Sequence, residues 1–182
     1  AISQPLLLGV TTHAARRDPT TVVHVAAGIT HIGTLDRSTN REEAQSQLAE
    51  TLHQALPDVA WHNHITATCW LKLTANCVIN PLTVRHQCTN GELQAYPELV
   101  EALCQEVAQV MDREGFHTSS ESLQLYVNQI IQNTAANTSS MRQDVLAQRH
   151  TEIDYITGYL LRRARAHGLS LPENSRLFDY IK

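Results

Sequence analysis

Apolar residues fall in short extended-type runs over the first third of the chain and recur at helical spacing over the rest. Leu6–Val10, Val22–Val25 and Gly28–Gly33 are such runs, separated by turn residues that include Asp18 and Pro19, and they predict three strands. From Arg41 to Leu56, residues Ala44, Leu48, Leu52, Ala55 and Leu56 keep the helical period; Pro57 and Asp58 stop it, and Val59–Trp61 predicts another strand. Strand patterns end after Ile65. Ala67 to about Gln87 reads as a mainly apolar helix, Pro97–Glu114 as an amphipathic one closed by Gly115, and Ser120 to about Ala136 as a third, behind a Thr118-Ser119 cap. Ser140-Met-Arg-Gln143 has the form of a capping box, and Thr151 is placed to cap a helix running to His167, with Gly168 beyond it.

The pattern therefore predicts a mainly α chain: a helical domain over residues 66–182, preceded over 1–65 by the strand-rich end of an α/β domain. Because the pattern enters on a strand close to Ala1 and reaches Lys182 without a helix stop, the natural protein is expected to extend on both sides. Charge narrows the function classes. The 14 basic and 18 acidic residues are interspersed and leave a net charge of −4, which offers no field for nucleic acid or an acidic membrane. No apolar stretch approaches the roughly 20 residues of a membrane span, and no basic flank marks a signal peptide, so a cytoplasmic location is expected. Cys69, Cys77, Cys88 and Cys104 form no C-x-x-C pair and read as reduced, partly buried thiols. His62 and His64 would share one side of a strand, but two ligands do not make a metal site, and none is expected. The nucleophile-elbow pattern G-x-S-x-G is absent.

The most informative segment runs from Cys69 to Leu82. Lys72, Asn76 and Asn80 follow at four-residue spacing and share one face of an otherwise apolar helix. Two readings stand: a lysine that snorkels to solvent with asparagines near a kink at Pro81, or an ammonium placed as a proton donor beside two amides. Asn90-Gly91 is a turn signal and Asn137-Thr-Ser-Ser140 a helix cap, or else both offer uncharged donors for a carboxylate or hydroxyl. Glu152, next to Thr151, suits a helix N-terminus on dipole grounds alone. Arg162, Arg163, Arg165 and His167 crowd the other end of that helix, as a solvated dipole-compensating face or an anion site.

Taken together, LLLGVTTHAARR, VAAGITHIG, LPDVAWHNHI, WLKLTANCVINPLT, NGEL, NTSSMRQDV and RHTEIDYITGYLLRRARAHG resemble consecutive pieces of bacterial ketopantoate reductases. The resemblance covers essentially the whole chain and is most specific at Lys72-x-x-x-Asn76-x-x-x-Asn80 and at His150-Thr-Glu152-Ile-Asp. It implies a helical substrate domain of the dehydrogenase type behind the end of a Rossmann domain, with NADPH as cofactor, ketopantoate reduced to pantoate, and a place in pantothenate synthesis. It further implies Lys72 as general acid, Asn76, Asn80, Asn90 and Ser140 as substrate-binding residues, and Glu152 and Ala15 as cofactor-bordering residues. The seven glycines form no G-x-G-x-x-G, so this stretch alone is not expected to be a competent reductase. A related oxo-acid reductase, or a stand-alone helical interaction module, are the competing expectations.

Overall fold

A computed structural model describes residues 6–35, 42–56 and 58–182. The chain start at Ala1, the expected helix start at Arg41 and the expected stop at Pro57 lie outside the described residues. The chain divides into two compact units, Ala1–Cys69 and Trp70–Lys182.

In the first unit β1 (Leu7–Thr11) pairs antiparallel with β4 (Thr30–Thr34), and β4 pairs parallel with β5 (Val59–Trp61), giving the sheet order β1-β4-β5. A parallel neighbour needs a crossover, and α1 (Glu42–Ala55) lies between β4 and β5 in the chain. Gly33 is required at its position, because an added Cβ would lie 2.4 Å from the His62 carbonyl oxygen. A separate hairpin joins β2 (Ala14–Arg17) to β3 (Val22–Ala26), its turn closed by Asp18 N–H donating to Thr21 O at 2.9 Å. Strand β2 was not among the three expected strands, since Ala-Ala-Arg-Arg carries neither alternation nor β-branched residues and is extended only through its pairing with β3. The expectation that His62 and His64 share one side of a strand fails. β5 ends at Trp61, and in the following turn His64 N–H donates to His62 Nδ1 at 3.1 Å.

The second unit carries the helices, and the mainly α expectation holds there. Its elements are α2 (Ile65–His86, which begins in the first unit), a 3-10 turn (Gly91–Ala95), α3 (Pro97–Arg113), α4 (Ser120–Asn133), α5 (Ser140–Leu146), α6 (Thr157–Ala166) and α7 (Pro172–Ile181). Val78 and Leu82 of α2, Leu103 and Val107 of α3, Leu123 and Val127 of α4 and Leu160 of α6 are fully buried in one core. Helix α3 ends where Gly115 takes a left-handed φ of 83°, a conformation that glycine adopts without a Cβ penalty.

Two helix starts differ from the expected ones. Helix α5 is capped by Ser139, not Ser140: Ser139 Oγ accepts the Arg142 N–H at 3.1 Å, and Gln143 Nε2 donates to Thr138 O instead of closing a capping box. Helix α6 starts at Thr157, not after Thr151. Residues 151–156 spend their hydrogen bonds in a turn, with Ile153 N–H on Thr151 Oγ1 and both Tyr155 and Ile156 N–H on Glu152 O.

Two carboxylates of the α3 region fasten the later helices. Glu114 Oε1 accepts from Arg163 Nε at 2.7 Å and from His167 Nε2 at 2.6 Å, so part of the basic end of α6 is engaged. Burial pushes the Glu114 carboxyl up, but the hydrogen bonds from His167 and Arg163 outweigh it and hold the group below its ordinary value. Glu106 is 6% exposed and accepts Glu173 N–H at 2.7 Å, Asn174 N–H at 2.9 Å and Asn174 Nδ2 at 2.8 Å. A glutamate from α3 thus caps α7, whose first residue, Pro172, has no N–H to satisfy.

Glu106→Ala strands three donors at once, and an expected loss of about 3 kcal/mol follows from leaving buried donors unsatisfied. Urea unfolding followed by circular dichroism checks it. Glu106→Gln should lose less, since the amide oxygen still accepts, although its Nε2 then meets an N–H donor.

Candidate functional site

Helix α2 places Lys72, Asn76 and Asn80 one turn apart along a single stripe. Lys72 and Asn76 are half-buried and Asn80 is buried. The flanking Thr74, Ala75, Cys77, Val78 and Ile79 are all buried, which fixes the rotation of the helix and leaves the stripe as its polar face. Pro81 follows Asn80 within the helix and has no N–H to give to the carbonyl of Cys77.

One helical turn further on, the fully buried Thr83 hydroxyl donates to Asn80 O at 2.8 Å and lies 2.6 Å from Ser139 Oγ. Asn90 lies at the start of the 3-10 turn, makes no side-chain cap bond there, and is 7% exposed. Its N–H donates to Asn137 O at 2.9 Å, its Nδ2 donates to Thr134 Oγ1 at 2.9 Å, and Gly91 N–H donates to Ala135 O at 3.0 Å. The connector between α4 and α5, residues 134–139, is therefore bonded at one end to Asn90 and at the other to Thr83. These bonds also account for α4 stopping at Asn133, short of the expected Ala136, because the carbonyls of Ala135 and Asn137 serve the 3-10 turn. Glu92 fixes the approach to Asn90, accepting Thr89 N–H at 2.7 Å and Thr89 Oγ1 at 2.9 Å, and these bonds hold its carboxyl below the ordinary range.

The connector joins the Asn80 backbone carbonyl on α2 and Asn90 on the 3-10 turn in one bonded assembly, which ends at Ser139, directly before Ser140 and the start of α5. Ser140 is exposed. Lys72 and Asn76 continue the α2 stripe away from that assembly. Glu152 is not at a helix start: it is exposed in the turn ahead of α6 and accepts there through its carbonyl. Ala15 is exposed on β2 of the first unit, opposite His24. Thr83 escaped the sequence reading, although it stands three residues after Asn80; Ser139 was read within the Asn137–Ser140 cluster as cap or donor, and the structure makes it the cap.

Asn90 Oδ1 is buried and has no hydrogen-bond partner. An orphaned carbonyl of that kind costs roughly 1–3 kcal/mol unless a ligand or water serves it. Among the described residues no group of three or more His, Cys, Asp or Glu side chains is disposed to hold a metal ion. No helix of the described residues is long and apolar enough to cross a membrane. The α2 stripe and this assembly together carry an ammonium, amides and hydroxyls, which suit a small polar ligand that accepts hydrogen bonds and a proton.

A family model described as the C-terminal part of ketopantoate reductase PanE/ApbA matches residues 64–182. The chain belongs to that family. It is 64% identical over 176 residues to the 2-dehydropantoate 2-reductase of Yersinia pestis, an alignment that covers 97% of this chain and 57% of the relative. The crystal structure of a probable 2-dehydropantoate 2-reductase from Bacillus subtilis superposes with a TM-score of 0.80 at 27% identity, over 100% of this chain and 61% of that one. A ternary structure of D-mandelate dehydrogenase with NADH and anilino(oxo)acetate matches with a TM-score of 0.87 at 22% identity, over 96% of this chain and 58% of that one, and shares the fold. The chain thus spans less than two thirds of the ketopantoate reductases it matches.

Asn90→Ala removes one hydrogen bond and an unpaired buried carbonyl together. The two effects oppose, so the unfolding free energy should change by less than about 1 kcal/mol. A larger loss in a urea titration would make Asn90 a structural tether only.

Proposed function

We propose that this chain is the substrate-binding C-terminal part of an NADPH-dependent 2-dehydropantoate 2-reductase, a cytoplasmic enzyme of pantothenate biosynthesis that reduces ketopantoate to pantoate. The observation that carries the proposal is the Lys72-Asn76-Asn80 stripe on α2. Its Asn80 end is bonded through residues 134–139 to Asn90 and the start of α5.

When bound, the nicotinamide supplies a hydride to the keto carbon. Negative charge then grows on the carbonyl oxygen, and the Lys72 ammonium both stabilises it and delivers the proton that completes the alcohol. The amides of Asn76, Asn80 and Asn90 and the hydroxyl of Ser140 hold the carboxylate and hydroxyl of the substrate. The unpaired Asn90 Oδ1 fits a hydroxyl donor. Neutral amides suit this work because they bind the acid without adding a second cation beside Lys72.

Among the described residues none builds a dinucleotide phosphate cradle. At Gly28 and Gly33 an added Cβ would meet backbone at 2.4 Å, so these glycines serve close chain packing. The reading assigns the phosphates to the portion of such reductases that this chain does not span, with Glu152 and Ala15 bordering the cofactor. The chain by itself is accordingly expected to be inactive. A reductase for another oxo acid is the second reading, favoured by the fold shared with D-mandelate dehydrogenase.

Lys72→Ala in the full-length protein should lower kcat by about 10² to 10⁴, the usual worth of a general acid, with NADPH binding nearly unchanged. Steady-state kinetics with ketopantoate and a cofactor titration check both parts, and a fall of less than about tenfold contradicts the role given to Lys72. Ser140→Ala should raise KM and leave the melting temperature alone, because the cap of α5 belongs to Ser139.

A further inference from the structure

We propose that Thr83 and Ser139 are positioning residues of this site: a buried two-hydroxyl latch that sets where Ser140 stands relative to Asn80. The inference rests on the reductase reading above for its functional part. Its structural part stands on the hydrogen bonds alone.

The polarity of the latch is fixed by chemistry. A backbone N–H can only donate and a carbonyl can only accept. Arg142 N–H donates to Ser139 Oγ at 3.1 Å, and Thr83 O–H donates to Asn80 O at 2.8 Å. With the Thr83 proton so committed, the 2.6 Å contact between the hydroxyls has one arrangement left, in which Ser139 O–H donates to Thr83 Oγ1. The result is an unbroken relay from the first turn of α5 to the α2 carbonyl of a proposed substrate-binding residue, and hydrogen bonds aligned in this way reinforce one another. Thr83 is 0% exposed and Ser139 is 6% exposed, so water cannot readily replace either partner.

Stability alone does not call for such a pair. The cap of α5 accounts for the Ser139 hydroxyl, but not for that of Thr83, which an apolar side chain of the same shape could replace in the packing; the two hydroxyls together fix one mutual geometry. That geometry matters at one neighbouring position. Ser140 directly follows Ser139, and the short helix α5, of 7 residues, has little packing of its own to set its register, with Met141 its buried residue. The far end of the same connector is already tied to Asn90, so the latch completes a two-point attachment of residues 134–139.

The test uses the full-length protein with Thr83→Val, the nearly isosteric removal of the hydroxyl, and Thr83→Ser, which keeps it. Expected for Thr83→Val is faster hydrogen exchange at the amides of residues 138–142 against an unchanged α3–α4 core. KM for ketopantoate should rise by about tenfold, the equivalent of one lost hydrogen bond, with kcat nearly kept. Thr83→Ser should restore both. Unchanged exchange in Thr83→Val overturns the latch whatever the substrate proves to be. Faster exchange with KM unmoved, in a protein that does reduce ketopantoate, overturns the positioning role. If the wild-type protein fails to reduce ketopantoate, the positioning role falls with the reductase reading, and the exchange data still decide whether the latch exists.

Discussion

The burial of helix α2 is the constraint from which the rest of the helical unit follows. A helix of 22 residues with Cys77, Val78, Ile79, Leu82 and Val84 all packed away leaves its polar residues little access to water. Each such group must then find a partner within the protein or cost about 1–3 kcal/mol. Thr74 finds one in the carbonyl of Trp70, and Thr83 in the carbonyl of Asn80 and the hydroxyl of Ser139. Cys77 has a hydrogen bond with the Thr157 side chain, yet burial outweighs it and pushes the thiol up to about 12, which makes the group an inert filler. Asn90 Oδ1 is one of several buried side-chain atoms left without a partner, Asn174 Oδ1 of the same unit among them, and it is the one that lies at the connector.

The helices around α2 are held by few but well-buried polar contacts, and α3 supplies two of them. Glu106 lies within α3 and gathers three donors at the start of α7, while Glu114 at the C-cap of α3 gathers the last turn of α6. Both carboxylates join elements that are far apart in sequence, so each acts as a register mark for a helix that apolar packing alone would allow to slide. Directional bonds at helix ends, with apolar contacts between helix middles, therefore divide the work. The site region uses the same device, through the connector instead of a carboxylate.

Much of this was legible in the sequence because the signals were local. The period of apolar residues locates α2, α3 and α4, Pro97 and Gly115 mark the ends of α3, and the four-residue spacing of Lys72, Asn76 and Asn80 needs only a helix to become a stripe. What the sequence hid depends on contacts between distant segments. Strand β2 is extended only because β3 pairs with it, α6 starts late because Glu152 closes a turn, and the cap of α5 passes to Ser139 because Thr83, 56 residues earlier, takes its hydroxyl. The resemblance supplied Asn90 and Ser140 as a list. The structure adds the connector that bonds their neighbourhoods together, which no spacing rule could reveal.

Family membership and fold do not by themselves choose a substrate. D-mandelate dehydrogenase shares the fold at 22% identity, and a shared fold leaves the choice of substrate to individual side chains. On the proposed reductase reading those side chains would lie around the connector, where Asn90, Thr134 and Ser139 are each held by named hydrogen bonds. The α2 stripe is different in kind: Lys72 and Asn76 stand on a rigid helix whose rotation is set by the whole core. A rigid helix is suited to the step every reduction of a ketone requires, proton delivery to the new alcohol, whereas a tethered connector can change its side chains without disturbing that core. On the proposed reductase reading, the division between helix and connector would correspond to that between a shared reaction and a particular substrate.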